Sequence, residues 1–197
     1  MSDRSRKWIF GLMLGFAILA FLASFTLSVE KLELLKNPDA KLSCSINAAL
    51  NCASVMKTPQ ASVFGFPNSY LGIMGFAIVI SVAIGGLLRV KYSKPYLIVA
   101  QIGYGLGLVF AYWLFFQSVY VIQILCPWCL VVTIGTTVVF ETLLRYNLRL
   151  NNFGLKRAMN QKVQRFLDQD IDKFITIGWL VFLTLLVIMK FGDSLIS

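Results

Sequence analysis

The chain has 197 residues, 58% of them hydrophobic and only 14% charged, with a mean hydropathy of +0.76. A soluble domain carries about 25% charged residues, so most of this chain is built to be solvated by lipid. Its formal charge is +9 and it has no histidine, which excludes histidine-ligated haem, histidine-based zinc catalysis and Ser-His hydrolysis.

A helix rising ~1.5 Å per residue needs about 20 apolar residues to cross a ~30 Å hydrocarbon core. Five stretches meet this: Trp8 to Val29, Ser69 to Leu88, Pro95 to Gln117, Val121 to Leu144, and the shorter Phe174 to Met189. The first follows Arg4, Arg6 and Lys7, but it is too long for a signal-peptide core. No small-x-small cleavage site follows Val29, so it reads as a retained span. Glu141, near the end of the fourth, is the only charge in any of them. Gly103, Gly105 and Gly107 in "GYGLG" read as sites of close helix approach. The stretch from Asn151 to Asp172 reads as a basic amphipathic helix resting on anionic lipid.

Charge orients the spans. Arg4, Arg6 and Lys7 precede the first, Arg89, Lys91 and Lys94 join the second to the third, and Arg145 to Arg165 follow the fourth. The 117–123 connection has no charge at all. Placing the basic segments in the cytoplasm satisfies every loop. The N-terminus is then inside, the C-terminus outside, and segments 30–67 and 117–123 lie on the outer face. Topology accounts for the net charge, so no nucleic-acid partner is expected.

All four cysteines reach that outer, oxidising side: Cys44 and Cys52 in the long segment, Cys126 and Cys129 at the head of the fourth span. Three readings compete: two structural disulfides, a four-thiolate zinc site, or a thiol relay. The Cys44–Cys52 spacing is wrong for a zinc knuckle, and no metal is expected. In "CPWC", Pro127 suits the first helical position, with Cys126 as cap and Cys129 in the first turn, where the helix N-terminus stabilises thiolate. "SCSINAALNCASVM" reads as a short helix with Ser43 or Ser45 as cap. A continuous helix would hold Cys44 and Cys52 ~12 Å apart along its axis, too far for a disulfide. Either the helix breaks between them, or they bond only in one state.

The set "CSINAALNC", "FPNSYLG" and "CPWC" resembles the vitamin K epoxide reductase family over roughly Trp8 to Leu144. The resemblance implies an all-α membrane protein: a four-helix transmembrane bundle around a quinone pocket, plus a fifth transmembrane helix. It implies an oxidoreductase acting like the bacterial membrane oxidase DsbB in the cytoplasmic (inner) membrane. A thioredoxin-like partner would be oxidised through Cys44 and Cys52, then Cys126 and Cys129, with electrons passing to ubiquinone or menaquinone. Cys44 would bond the partner, Cys52 would relay to Cys126, and Cys129 would face the quinone. Asn68 would hydrogen-bond a quinone carbonyl; its plainer role is a helix cap. Thr133 stands where vertebrate members carry a quinone-binding tyrosine, which favours ordinary quinones over vitamin K epoxide. Phe64, Phe66, Tyr120 and Trp128 form either an aromatic belt or a pocket wall. The chain ends at Ser197 without a thioredoxin-like domain, so the partner is expected to be a separate protein. The expected organisation is a catalytic bundle over 1–145, a cytoplasmic connector over 146–173, and a fifth helix with a short tail over 174–197. The same residues leave open a reductase running the relay backwards, or a scaffold braced by disulfides.

Overall fold

The computed structural model describes residues 3–38, 40, 42–45 and 50–196, with side chains to residue 192. Seven α-helices carry the fold: α1 (Asp3–Lys36), α2 (Cys52–Met56), α3 (Asn68–Leu87), α4 (Lys94–Phe116), α5 (Pro127–Arg149), α6 (Arg157–Asp168) and α7 (Ile171–Ile196). Five of them, α1, α3, α4, α5 and α7, are long and apolar enough to cross a membrane. The protein is therefore an all-helical, multi-pass membrane bundle.

Several boundaries differ from the sequence reading: α5 ends at Arg149, past Leu144, and the fifth helix, α7, begins at Ile171, before Phe174, and runs past Met189. Helix α1 does not stop at Val29 but runs on to Lys36, because Leu27, Glu30 and Leu34 continue one buried face through that stretch. The fourth span starts at Pro127, not Val121. The α4 ladder widens into a π-helical turn over Gln117–Ile122 and ends where Gln123 adopts a left-handed conformation, φ 57°. Pro127, with no N–H to satisfy, then opens α5 behind Cys126.

Contacts fix which ends lie together. Arg89 after α3 pairs with Asp3 at 2.9 Å, Phe10 meets Tyr146 edge-on at 4.8 Å, and Lys173 sits 4.2 Å above the Trp8 ring. Near the other end, Ser28 donates to Ser69 at 2.8 Å and Lys190 covers the Tyr120 ring at 4.4 Å. The starts of α1, α5's C-terminus and the α3–α4 connection therefore share one end, which carries the basic segments. The cysteines occupy the opposite end.

Helix α1 is the centre, packing on α3 and α5, while α4 packs on α5. Helices α3 and α4, though consecutive, are at most weakly packed on each other among the described residues. Close approach comes from glycines other than those of "GYGLG". A Cβ at Gly135 would lie 2.7 Å from Ala20 Cβ, and one at Gly86 would enter the Phe10 ring. Gly103 and Gly107 have nothing within 4 Å, and Gly105 meets only Phe140 at 3.5 Å. That correction has a plain cause: Gly103 and Gly107 face a cavity, not a helix.

Helix α7 is held from α5. Arg145, 7% exposed, donates to Asp172 at 2.6 Å, to Asp170 at 2.5 Å and to the Leu167 carbonyl at 2.9 Å. Trp179 of α7 donates to Tyr112 of α4 at 2.8 Å. The amphipathic segment expected over Asn151–Asp172 narrows to α6, since Asn151 and Gly154 take positive φ in the turn before it.

Candidate functional site

The segment between α1 and α3 settles the first cysteine pair. It does not form a helix across Cys44 and Cys52. An antiparallel bridge between Ser45 and Asn51 folds the chain back, and among the described residues between the two cysteines none is helical before Cys52, where the short helix Cys52–Met56 begins. Asn51 caps that helix by accepting from Ser54 N–H at 3.0 Å, and Ser45 Oγ accepts from Ala53 N–H at 3.4 Å. The reversal brings the two Cα atoms to 5.6 Å, and Cys44 and Cys52 are disulfide-bonded. Residues 46–49 lie outside the described residues. Ser43, expected as a cap, instead points back to α1.

The second pair is docked onto the first by backbone. Asn51 N–H donates to the Leu125 carbonyl at 3.0 Å, in a bridge that pairs Leu50 with Leu125. Cys52 follows Asn51 and Cys126 follows Leu125, and Cys126 Sγ lies 3.3 Å from Cys52 Sγ. Cys126 is buried and is the N-cap of α5, its sulfur accepting the Cys129 N–H at 3.4 Å. A helix-terminal N–H aimed at a sulfur stabilises the negative charge that builds there during exchange. Cys126 and Cys129 are free thiols, and Cys129 is partly exposed. Only one pair is bridged, which leaves too few thiolates for a four-cysteine zinc site.

A cavity of about 530 Å³ opens between α3 and α4, with α1 and α5 as its floor. Asn68, Cys126, Cys129 and Thr133 all line it, with Phe110 and Gly107 opposite. Of the aromatic residues weighed above, Phe64, Phe66, Tyr120 and Trp128 are not on its wall, although Phe64 backs Phe110 at 5.8 Å.

Asn68 is not a cap. It is the first residue of α3, and its side chain closes the loop before it, donating to the Gln60 carbonyl at 2.7 Å and accepting from Val63 N–H at 3.1 Å. Its amide has two hydrogens, and one remains for a ligand. The Thr133 hydroxyl donates to the Cys129 carbonyl at 2.9 Å, so towards a ligand it offers only lone pairs.

Sequence reasoning missed Glu30. Its Oε1 accepts both the N–H, at 3.1 Å, and the hydroxyl of Ser43, and its Oε2 lies 3.0 Å from Cys44 Sγ. Helical spacing carried the signal, because Ala23, Leu27, Glu30 and Leu34 form one buried stripe.

Residues 11–144 match the model of the vitamin K epoxide reductase family. The chain belongs to that family. No curated protein matches it. Membership and the Cys44–Cys52 disulfide together mark an oxidoreductase with a redox role, in a family that is quinone-linked in general.

Proposed function

We propose that this protein oxidises a thioredoxin-like protein dithiol outside the cytoplasmic membrane and delivers the electrons to a membrane quinone. The observation that carries this reading is the 3.3 Å separation between Cys52, in one pair, and Cys126, in the other, at the wall of an apolar cavity.

In this reading a partner thiolate attacks Cys44, Cys52 leaves and attacks Cys126 of an oxidised Cys126–Cys129 pair, and Cys129 leaves into the cavity. Quinone, when bound, accepts two electrons and two protons. The residues present fit such a ligand: an apolar cavity, a sulfur on its wall and an unused Asn68 amide hydrogen. Asn68 would orient a carbonyl, and Thr133 would shape the wall beside it. The catalytic work falls within 1–145, and the connector expected over 146–173 passes into the fifth helix at Ile171, where α7 begins, not at residue 174. The basic end faces the cytoplasm and the four cysteines face outward. Cys44 is only 4% exposed, so partner attack requires the segment around it to open.

The test is whether purified protein carries quinone and reduces it when given a reduced thioredoxin-like protein. Oxidation of that dithiol without quinone reduction would overturn the reading. A reductase would show the opposite flow, with quinol reducing the Cys44–Cys52 disulfide.

A further inference from the structure

Leu125, the residue before Cys126, faces two ways. Its carbonyl accepts the Asn51 N–H at 3.0 Å, one residue before Cys52. Its side chain, 1% exposed, is buried in a cluster with Val119 and Phe191. Phe191 comes from α7 and is itself 6% exposed. Leu186 and Val187 of α7, and Leu50 from the bridge, pack against the same cluster. Residues 187, 190 and 191 share one helical face, and on it Lys190 covers the Tyr120 ring at 4.4 Å. The fifth helix therefore grips the turn that carries Leu125 with a buried ring and a cation side by side.

The pairing behind that grip is short. Leu50 and Leu125 form an isolated bridge with no ladder to extend it. Each backbone hydrogen bond adds little net stability, because water competes for both of its groups. The chain before it is a π-helical turn over Gln117–Ile122, then Gln123 at φ 57°, with Ser118 donating to the Ile124 carbonyl at 2.6 Å. The place of Cys126 Sγ, 3.3 Å from Cys52 Sγ, thus depends on what fixes Leu125 from its other side. A buried ring does so, since close packing leaves its neighbours little room to shift.

We infer that Phe191 is a positioning residue for exchange between the two cysteine pairs: it seats Leu125, and through Leu125 it holds Cys126 within reach of Cys52. Its place in turnover rests on the relay proposed above. The exchange itself needs neither quinone nor partner. In Cys129→Ala the Cys126 thiolate attacks Cys52, and the Cys52–Cys126 bond forms. Cys44 leaves with the electron pair of the broken Cys44–Cys52 bond and takes up the proton that Cys126 gave up. Two electrons stay in the thiols throughout, so no oxidant or reductant is consumed.

The experiment compares full-length Cys129→Ala with the same chain carrying Phe191→Ala. After acid quench and alkylation, peptide mass spectrometry gives the ratio of Cys52–Cys126 to Cys44–Cys52 disulfide. Phe191→Ala should lower that ratio about tenfold or more, as small misplacements of reacting atoms do. Phe191→Leu keeps most of the bulk and should fall between the two. Should Phe191→Ala not fold, Phe191→Leu decides alone, and a ratio equal to the parent's overturns the proposal. Trp179→Phe separates positioning from plain support of α7. It removes the 2.8 Å hydrogen bond to Tyr112, about 18 Å along α7 from Phe191. It should lower the melting temperature and leave the ratio unchanged. An equal fall in ratio for Trp179→Phe and Phe191→Ala at equal loss of melting temperature would overturn the proposal, as would a parent that forms no Cys52–Cys126 disulfide. A failure of the quinone reading alone would show as absent quinone turnover in the four-cysteine protein, with the ratio still dependent on Phe191.

Discussion

Cys126 Sγ lies 3.3 Å from Cys52 Sγ while Cys52 is still bonded to Cys44. One sulfur thus has a bonded partner on one side and a free thiol on the other. Exchange between the pairs needs little further approach, and the pairing of backbone at Leu50 and Leu125 holds the two in register. Removing the last sulfur should therefore stop the relay at that junction. Cys129→Ala should fold, fail to reduce quinone and accumulate a Cys52–Cys126 disulfide, read by mass spectrometry of peptides. Normal turnover would show that Cys129 is not the sulfur facing the quinone.

Asn68 holds the loop before α3 and, in the proposed function, also orients a quinone carbonyl, two tasks that substitution can separate. Asn68→Ala should slow quinone reduction by roughly ten- to a hundredfold, since a donor at a carbonyl gaining charge is worth about 1–3 kcal/mol. It should also lower thermal stability, because the Gln60 and Val63 contacts go with it. Asn68→Asp keeps the acceptor for Val63 N–H and should recover part of the stability without the quinone kinetics. Recovery of both together would assign Asn68 to the loop alone.

The glycines make opposite predictions. Gly107→Leu adds bulk where nothing lies within 4 Å, so it should leave the melting temperature near that of the parent while weakening quinone binding several-fold. Gly135→Ala places a methyl 2.7 Å from Ala20 Cβ and should cost about 1–3 kcal/mol through overpacking, measured by thermal unfolding in detergent.

Arg145 anchors the fifth helix. Arg145→Gln should cost about 3–5 kcal/mol, since breaking a buried pair strands its partner, and should expose the 150–170 connection to limited proteolysis. Asp170, outside the spans, is held below the ordinary aspartate value of 3.8 by its hydrogen bond from Lys173 and then by that from Arg145. A folded value below the unfolded one means a contribution that is complete above the unfolded value and lost as pH falls through the folded one. The melting temperature should drop below about pH 4, less steeply in Arg145→Gln, and only modestly because the Asp170 side chain is 46% exposed.

Orientation is tested by labelling. With native thiols blocked, Phe153→Cys should resist an impermeant maleimide in intact cells and Ser194→Cys should react. Equal labelling would reverse or remove the fifth crossing.

The five spans were legible because lipid solvation demands long apolar runs, which leave an unambiguous trace in composition. The convergence of the cysteines was legible because basic residues sort the ends. The detail of the first outer segment was not. Its composition suggests one helix through both cysteines, yet the Ser45–Asn51 bridge and the disulfide bring Cys44 and Cys52 closer than a continuous helix allows. The "GYGLG" glycines misled because absence of a side chain serves a cavity as well as a contact, and only the neighbour across the gap distinguishes them. Glu30 was hidden by its charge: an acidic residue after an apolar run reads as the end of a span, whereas here the helix and its buried face continue.

The sparse packing between α3 and α4 has a consequence for supply. In the proposed function, quinone reaches the cavity between the α3 and α4 faces carrying Ile78 and Val99 from the bilayer and not from water. Occupancy then follows mole fraction in the lipid, a two-dimensional concentration that aqueous dilution leaves untouched. Adding micelles at constant total quinone should therefore lower the rate, whereas enlarging the buffer volume around fixed proteoliposomes should not.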